Sequence, residues 1–586
     1  NSLVDIFNLN LSNNIIGEIK QLDNLTDLNE LNLSNNRIEE IKGLDKLNRL
    51  HGLNLSNNRI SEIKGLDRLK GLHDLNLSFN EIREIKGLDK LDELRKLNLS
   101  DNKIVAIEGL NSLRKLEFLD LSYNRIIKIE GLNMLEKLCN LNLFSNEIKE
   151  IKGLEWLDEL HKLNLSDNKI VDIQGLDNLK RLKNLNLSSN EIIKIKGLKN
   201  LKRLNTLDLS FNLIREIKGL DQLVELEDLN LCKNKIGNII NLKYNLKLKN
   251  LNLSKNEKIS IEGIKELTHL EALDLGYTNR KELGEEIQLL TNLKELYLRS
   301  NEKISIEGIK NLTNLEVLDL GYTNRKELGE IKNLDNLKEL YLYNNNLISM
   351  EGIENLKKLE ILDLSNNEIE KVENIKGLNN LKSIDKLKGL DLSYNKIIST
   401  EGIEELYNLE NLYLRNNHIE EIGNLKKLYN LKVLDLSHNK ITSMNGIENL
   451  YKLKVLYLMN NKIYKLCNLN DLLQLEYLIL DKNKISDISK IPVKIKYIDL
   501  GRQEIYLKDY KNTENKYSLN TSFIKLRGGE DLDIDYILEN GKYDNHTKTI
   551  IWENLSTDKL QFEFNNIEDD WMNFSGIVNI CLVDKI

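Results

Sequence analysis

Leucine and isoleucine recur along this chain with a long period that no single helix or strand produces. One unit reads LNLSNNRISEIKGLDRLKGLHD, from Leu53 to Asp74, and its opening Leu-x-Leu-x-x-Asn returns at Leu75. The same opening falls at every 22nd residue from Leu9 through Leu273. It continues through Leu296, Leu318, Leu340, Leu362, Leu390, Leu412, Leu434, Leu456 and Leu478 to a degenerate last copy, Ile498-Asp499-Leu500. Leu-x-Leu alternates as a strand does, so both leucines point one way and the residue between them the other. Leu66, Leu69 and Leu72 recur every third position, which suits a 3₁₀-like or extended return. Ile60 and Ile63 fill the rest of the core, and Asn58 sits where the strand ends and the chain turns inward. Its side-chain amide can bond the backbone groups that the turn leaves unpaired. Asn14, Asn36, Asn58, Asn80, Asn102 and Asn124 then stack as an internal polar ladder. One unit cannot bury its own leucines; its neighbours do so.

Three irregularities interrupt the period. EKISIEGIK followed by LDLGYTNRKELGE, from Glu257, is repeated almost verbatim from Glu302, with Thr278 and Thr323 at the ladder position and Asn279 and Asn324 one place later. The step from Leu273 to Leu296 is one residue long, which predicts a local bulge. The step from Leu362 to Leu390 carries about six extra residues, expected to bulge from the convex side or rim.

The unit resembles the 22-residue class of leucine-rich repeats. That resemblance implies an α/β-type solenoid over residues 1–507, about 22 repeats with a parallel sheet on the concave face and a 3₁₀, short helical or extended convex face. At ~4.8 Å per strand the arc would run roughly 100 Å. After Leu500 the text changes to short alternating runs with turn signals: SFIKL, Gly528-Gly529, DLDIDYIL, Asn540-Gly541, TIIWENL, LQFEF and FSGIVNICLV. They predict a small all-β sandwich over 508–586, suited to capping the open end of a solenoid. Asn540-Gly541-Lys542-Tyr543-Asp544, then Ile550-Ile551-Trp552, Phe562-Glu563-Phe564 and Phe574-Ser575-Gly576-Ile577-Val578, look like the immunoglobulin-like domain that follows the repeats in bacterial internalins. The junction Ile498 to Leu507 is similar to that family's last half-repeat. The chain departs from the family in having only Pro492, no visible helical N-terminal cap and no sorting motif. The start, NSLVDIFNLNLSNN, lies almost inside a repeat, and an upstream segment is expected.

Composition narrows the function classes. Net charge is -8 from 84 basic and 92 acidic residues; without a basic block the expectation is no nucleic-acid partner. No apolar run reaches the ~20 residues that cross a bilayer, so no membrane insertion is expected. Cys139, Cys232, Cys467 and Cys581 are too dispersed for a disulfide scaffold. The seven histidines show no metal spacing; Asp531, Asp533 and Asp535 read as a solvated strand face, and Gly528-Gly529 as a turn. No nucleophile–base motif appears, so the expectation is no enzyme, no cofactor and no metal. Eight Asn-Leu-Ser acceptors within the repeats, crowded on adjacent strands, argue for a bacterial or cytosolic protein.

The residues flanking the leucines are expected to form the contact surface. In the first half these are Asn and Ser tiles, interrupted by Phe79, Phe118, Tyr123, Phe144 and Phe211. The second half brings Tyr277, Tyr297, Arg299, Tyr322, Tyr341, Tyr343, Tyr394, Tyr413, Arg415, Tyr457, Met459 and Tyr477. Tyrosine and arginine are the types most enriched in binding hot spots; the competing reading is that tyrosines on neighbouring strands stack on one another. The internalin resemblance implies a secreted or surface-exposed bacterial protein that recognises a host or cell-surface protein in adhesion or virulence, and the chain is expected to be a monomer. The repeats alone resemble equally the regulatory subunit of protein phosphatase 1, which implies a cytoplasmic scaffold.

Overall fold

The computed structural model describes residues 6–372, 387–423, 425–492, 494–510, 515–527, 532–569 and 572–583. These fall into two compact units, Asn1–Tyr297 and Leu298–Ile586.

The first unit carries fourteen strands of three residues, β1 (Asn8–Asn10) to β14 (Glu295–Tyr297). Each pairs in parallel with the next, leucine opposite leucine, as in Leu53↔Leu75 and Leu75↔Leu97. The strands stay short because the fourth residue after the first leucine is left-handed: Asn57 has φ 53° and Asn35 φ 54°. That residue turns the chain inward and delivers the buried asparagine. Asn80 shows the ladder: its Nδ2 donates to Leu55 O of the previous coil at 3.0 Å and to its own Leu77 O at 3.1 Å, while its Oδ1 accepts from Ile60 N at 2.9 Å. The asparagine thus satisfies backbone groups that would otherwise sit unpaired in an aliphatic core.

The return runs through i→i+3 turns, Leu69 N to Leu66 O and Leu72 N to Leu69 O, both 3.0 Å. Later coils tighten it into short 3₁₀ helices such as Ile264–Glu266. A regular coil buries seven aliphatic side chains, Leu53, Leu55, Ile60, Ile63, Leu66, Leu69 and Leu72 in one case, none more than 3% exposed. Each is worth roughly 1.5–3 kcal/mol relative to exposure. Gly65, at φ 73°, opens the return; a Cβ there would lie 2.3 Å from Ile41 O of the coil before.

The long step to Leu296 leaves the ladder undisturbed, with Ala272↔Glu295, Leu273↔Leu296 and Asp274↔Tyr297 in register. The strands show no bulge, and the return of this coil contains the five-residue 3₁₀ helix Glu285–Leu289 after Gly284 at φ 81°. Thr278 Oγ1 bonds Leu275 O at 2.7 Å. The guanidinium of Arg280, two residues on, donates to Ile259 O at 2.8 Å, reaching across to the preceding coil as a ladder asparagine does.

The second unit continues the pattern in β15 (Val317–Asp319) to β22 (Tyr477–Ile479). Across the long step from Leu362 the strands remain paired as Ile361↔Gly389, Leu362↔Leu390 and Asp363↔Asp391; the bulge expected there falls on 373–386, outside the described residues. β23 (Tyr497–Tyr510) pairs at its start with β22, Leu478↔Ile498, and along its length with β29 (Met572–Val583). One strand therefore belongs both to the repeats and to the C-terminal module. There β28 (Lys559–Asp569) runs antiparallel to β29, and β25 (Ile534–Ile537) antiparallel to β28. A second antiparallel sheet joins β24 (Lys516–Asn520), β27 (Thr549–Glu553) and β26 (Lys542–Asp544). Trp552, Phe562, Phe564 and Phe574 are buried in this module, which is the expected small β-sandwich. Trp571, Asp531 and Gly528-Gly529 lie outside the described residues.

Candidate binding face

The two leucines of each strand point into the core, so the residue between them and those on either side face outward. In the second unit the middle positions on seven consecutive strands are Asp319, Tyr341, Asp363, Asp391, Tyr413, Asp435 and Tyr457, directly opposite one another in the ladder. Tyr343, Arg415 and Met459 lie in the next row, among Ser365, Ser393 and Ser437. On the other side are Val317, Ile361, Val433, Val455 and Tyr477. The result is a sheet face with a largely apolar margin, interrupted by Glu339, Gly389 and Asn411, beside a row of phenols and carboxylates.

The aspartates have a local role first. Asp363, Asp391 and Asp435 each accept the backbone N–H two residues on, from Ser365, Ser393 and Ser437, at 2.8–2.9 Å. This bond closes the turn that ends the strand. In the first unit asparagine does the same work, as Asn54 Oδ1 does for Ser56 N at 3.0 Å. The turn therefore does not require a charge. Burial raises the Asp391 carboxyl above the usual aspartate range; bonds from Ser393 oppose the shift, and the nearby Asp363 and Asp435 add to it. Tyr413, between Asp391 and Asp435, has its phenol pushed up by burial and by both carboxylates, so it stays a neutral hydroxyl at physiological pH. Asp319 is differently placed: buried, it receives Arg299 Nη1 at 3.3 Å and the Tyr343 hydroxyl at 3.5 Å.

The predicted residues divide into four placements. Tyr341, Tyr413 and Tyr457, with Tyr297 in the first unit, stand between the leucines; the hydroxyls of Tyr341 and Tyr297 donate to Glu339 and Glu295 at 2.7 and 2.9 Å. Arg299, Tyr343, Arg415 and Met459 follow the second leucine, and Tyr477 precedes the first. Tyr277, Tyr322 and Tyr394 occupy the left-handed residue past the strand, at φ 57°, 55° and 56°. The ring contacts found are Tyr322 edge-on to Tyr343 at 5.7 Å and Tyr477 with Tyr497 at 6.4 Å. Tyr341, Tyr413 and Tyr457 are separated by aspartate strands and so do not form a continuous stack. Arg415 turns to His438 Nε2 at 3.5 Å, and its buried Nε has no hydrogen-bond partner among the described residues. Burial, with Arg415 close by, lowers the His438 pKa and favours the neutral imidazole.

The aspartate row was missed in reading the sequence for aromatics and arginines. Its signal is plain once sought: Leu-Asp-Leu recurs at Leu318, Leu362, Leu390 and Leu434, where the first half mostly has Leu-Asn-Leu. A second concavity, a cleft of 720 Å³, lies between the last coil and the C-terminal module, lined by Lys482, Lys484 and Arg502 and by Asp535 and Glu563. Among the described residues no group of three or more His, Cys, Asp or Glu is placed to hold a metal ion, and no helix is long and apolar enough to cross a membrane.

Family models described as "Leucine-rich repeat region", "Leucine Rich repeats (2 copies)" and "Leucine rich repeat" match this chain. The first matches residues 220–351. The second matches 48–90, 92–134, 158–200, 180–222, 335–380 and 385–427, and the third 408–463. No curated protein matches the sequence. Among solved structures, that of the TLR13–ssRNA13 complex is 24% identical, covers 84% of this chain and 80% of its own, and superposes with a TM-score of 0.61. An internalin, inlF of Listeria monocytogenes, is 29% identical over 52% of this chain and 90% of its own, with a TM-score of 0.48. The functional domain of InlJ from the same organism is 21% identical, covers 86% and 89%, and has a TM-score of 0.39.

Proposed function

We propose that this leucine-rich-repeat protein is a binding module, without catalytic activity, that grips a protein partner on the open side of its sheet. The observation that carries the reading is the placement of Tyr341, Tyr413 and Tyr457 between core leucines on a rigid ladder, facing outward. Their backbones are fixed by the neighbouring strands, so little entropy is lost when a partner covers them. In this reading residues 1–507 are the recognition arm and 508–586 the module that closes its end, with β23 shared between them. The ordered C-terminal motifs that resemble the internalin immunoglobulin-like domain, with the crowded Asn-Leu-Ser acceptors, favour a bacterial protein acting outside the cell on a host or cell-surface protein.

The test is capture of surface proteins from detergent-solubilised host-cell membranes, wild type against Y341A/Y413A/Y457A. The triple variant is expected to lose the captured partner while its thermal unfolding stays that of wild type. Undiminished capture by a folded variant would refute the reading.

A further inference from the structure

We infer that the segment bound on this face is an extended polypeptide carrying basic side chains four residues apart, the first seated on Asp363 and Asp391 and the second on Asp435. The inference rests on the binding-face reading and names the partner's chemistry.

Charge complementarity is the ground for it. Asp363 and Asp391 lie directly opposite on adjacent strands. Like charges so placed repel and weaken a sheet, and asparagine at the same position makes the same turn bond without the penalty, as Asn54 does. None of Asp363, Asp391 and Asp435 has an ion-pair partner among the described residues, whereas the neighbouring Asp319 is already paired with Arg299. Arg415, close by in the next row, is directed to His438 and pairs with none of the three. The row thus presents carboxylates that no basic side chain among the described residues neutralises, on a face that also offers phenol rings to cover.

Spacing sets the register. From the midpoint of Asp363 and Asp391 to Asp435 is two and a half strands, ~12 Å at ~4.8 Å per strand. An extended chain advances ~3.3 Å per residue and returns to the same side every second one. Side chains at i and i+4, ~13 Å apart, therefore match the two anionic points, and the side chain at i+2 falls on Tyr413, which stands between them. The occupant is thus basic–x–flat–x–basic. A lysine or arginine suits the anionic points because it brings its own charge to a partly desolvated carboxylate, where such pairs are strongest.

The probe is a fluorescently labelled nine-residue peptide in which threonine alternates with, in turn, lysine and phenylalanine, so that the two lysines are four apart. Titrated with the full chain, it is expected to bind saturably, and a version with glutamate for lysine is not. D363N/D391N/D435N, which retains the turn bonds, should weaken binding by about tenfold or more. E370Q/E420Q/E421Q, the same charge change at exposed positions elsewhere, should leave it within about twofold. Equal binding of the glutamate peptide, an aspartate variant that binds as wild type, or equal losses in both triple variants would each overturn the inference. If the aspartate variant still captures the cell-surface protein that the tyrosine variant loses, the basic partner is refuted and the binding face stands.

Discussion

The side-chain amide of Gln503 donates to the carbonyl of Leu480 at 3.0 Å and so becomes the last rung of the polar ladder. It also donates to Leu500 O at 2.9 Å and accepts from Ile485 N at 2.9 Å, the bonds an asparagine makes in every regular coil. The residue is fully buried, at the point where β23 leaves the repeats for the C-terminal module. Gln503→Leu removes these bonds and strands buried carbonyls, at a cost of about 1–3 kcal/mol for each group left unsatisfied. Because solenoid stability is local, the loss should appear as faster hydrogen exchange at Ile485 and along β23, with the first unit unaffected. Unchanged exchange at Ile485 would remove Gln503 from the ladder.

Glycines in the return divide into two kinds. Gly65 is left-handed, and an added Cβ would meet the backbone oxygen of Ile41 at 2.3 Å. Gly71 has no such φ, and its nearest contact is an ordinary 3.7 Å to Asn48 O. Gly65→Ala is expected to cost about 1–3 kcal/mol. Gly71→Ala should be neutral or stabilising by up to about 1 kcal/mol, through the unfolded chain. Urea unfolding of the two variants separates them, and equal effects would contradict the geometry.

Asp391 makes the aspartate row visible as a pH effect. Its folded-state pKa is raised, mainly by burial and further by Asp363 and Asp435. The native state therefore holds this proton more tightly than the unfolded chain does. Stability from this site falls as pH rises through the interval between the two values, and the penalty is full above it. D391N keeps the bond to Ser393 and removes the charge, so it should melt above wild type at pH 7. The gap should close as pH falls to about 4 and below, where the carboxyl is protonated in both states. A variant that melts lower than wild type at pH 7 would mean that the charge is compensated in the fold.

How much of this was legible in the sequence depends on where the repeat is strict. The 22-residue spacing, the buried asparagine at Asn58 and the three-residue rhythm of Leu66, Leu69 and Leu72 dictated strand, turn and return, because each residue type there has one workable environment. Gln503 was not legible, since the last copy lacks the asparagine that marks a rung and only the folded structure shows a longer amide taking its place. The bulge expected between Leu273 and Leu296 is absent from the strands, because the return can absorb a residue that the ladder cannot. The face was half legible. Alternation placed Tyr341, Tyr413 and Tyr457 outward, but attention to aromatics passed over the aspartates between them. Tyr394 was grouped with those tyrosines although it is two residues farther along, where backbone φ is positive.

That position supplies the sharpest test of which tyrosines matter. Tyr394 is left-handed at φ 56° and half exposed, while Asn344, Asn366 and Asn416 occupy the same place in neighbouring coils. Asparagine tolerates this conformation far better than a bulky aromatic, for which it costs about 1 kcal/mol. Y394N is therefore expected to stabilise its coil by about that amount, read as slower hydrogen exchange between Leu390 and Leu412. A stabilising change that nevertheless weakens capture of the partner would mark Tyr394 as held against its conformational preference for the sake of contact. If stability rises and capture is untouched, Tyr394 drops out of the face, and recognition rests on the tyrosines between the leucines and the carboxylates beside them.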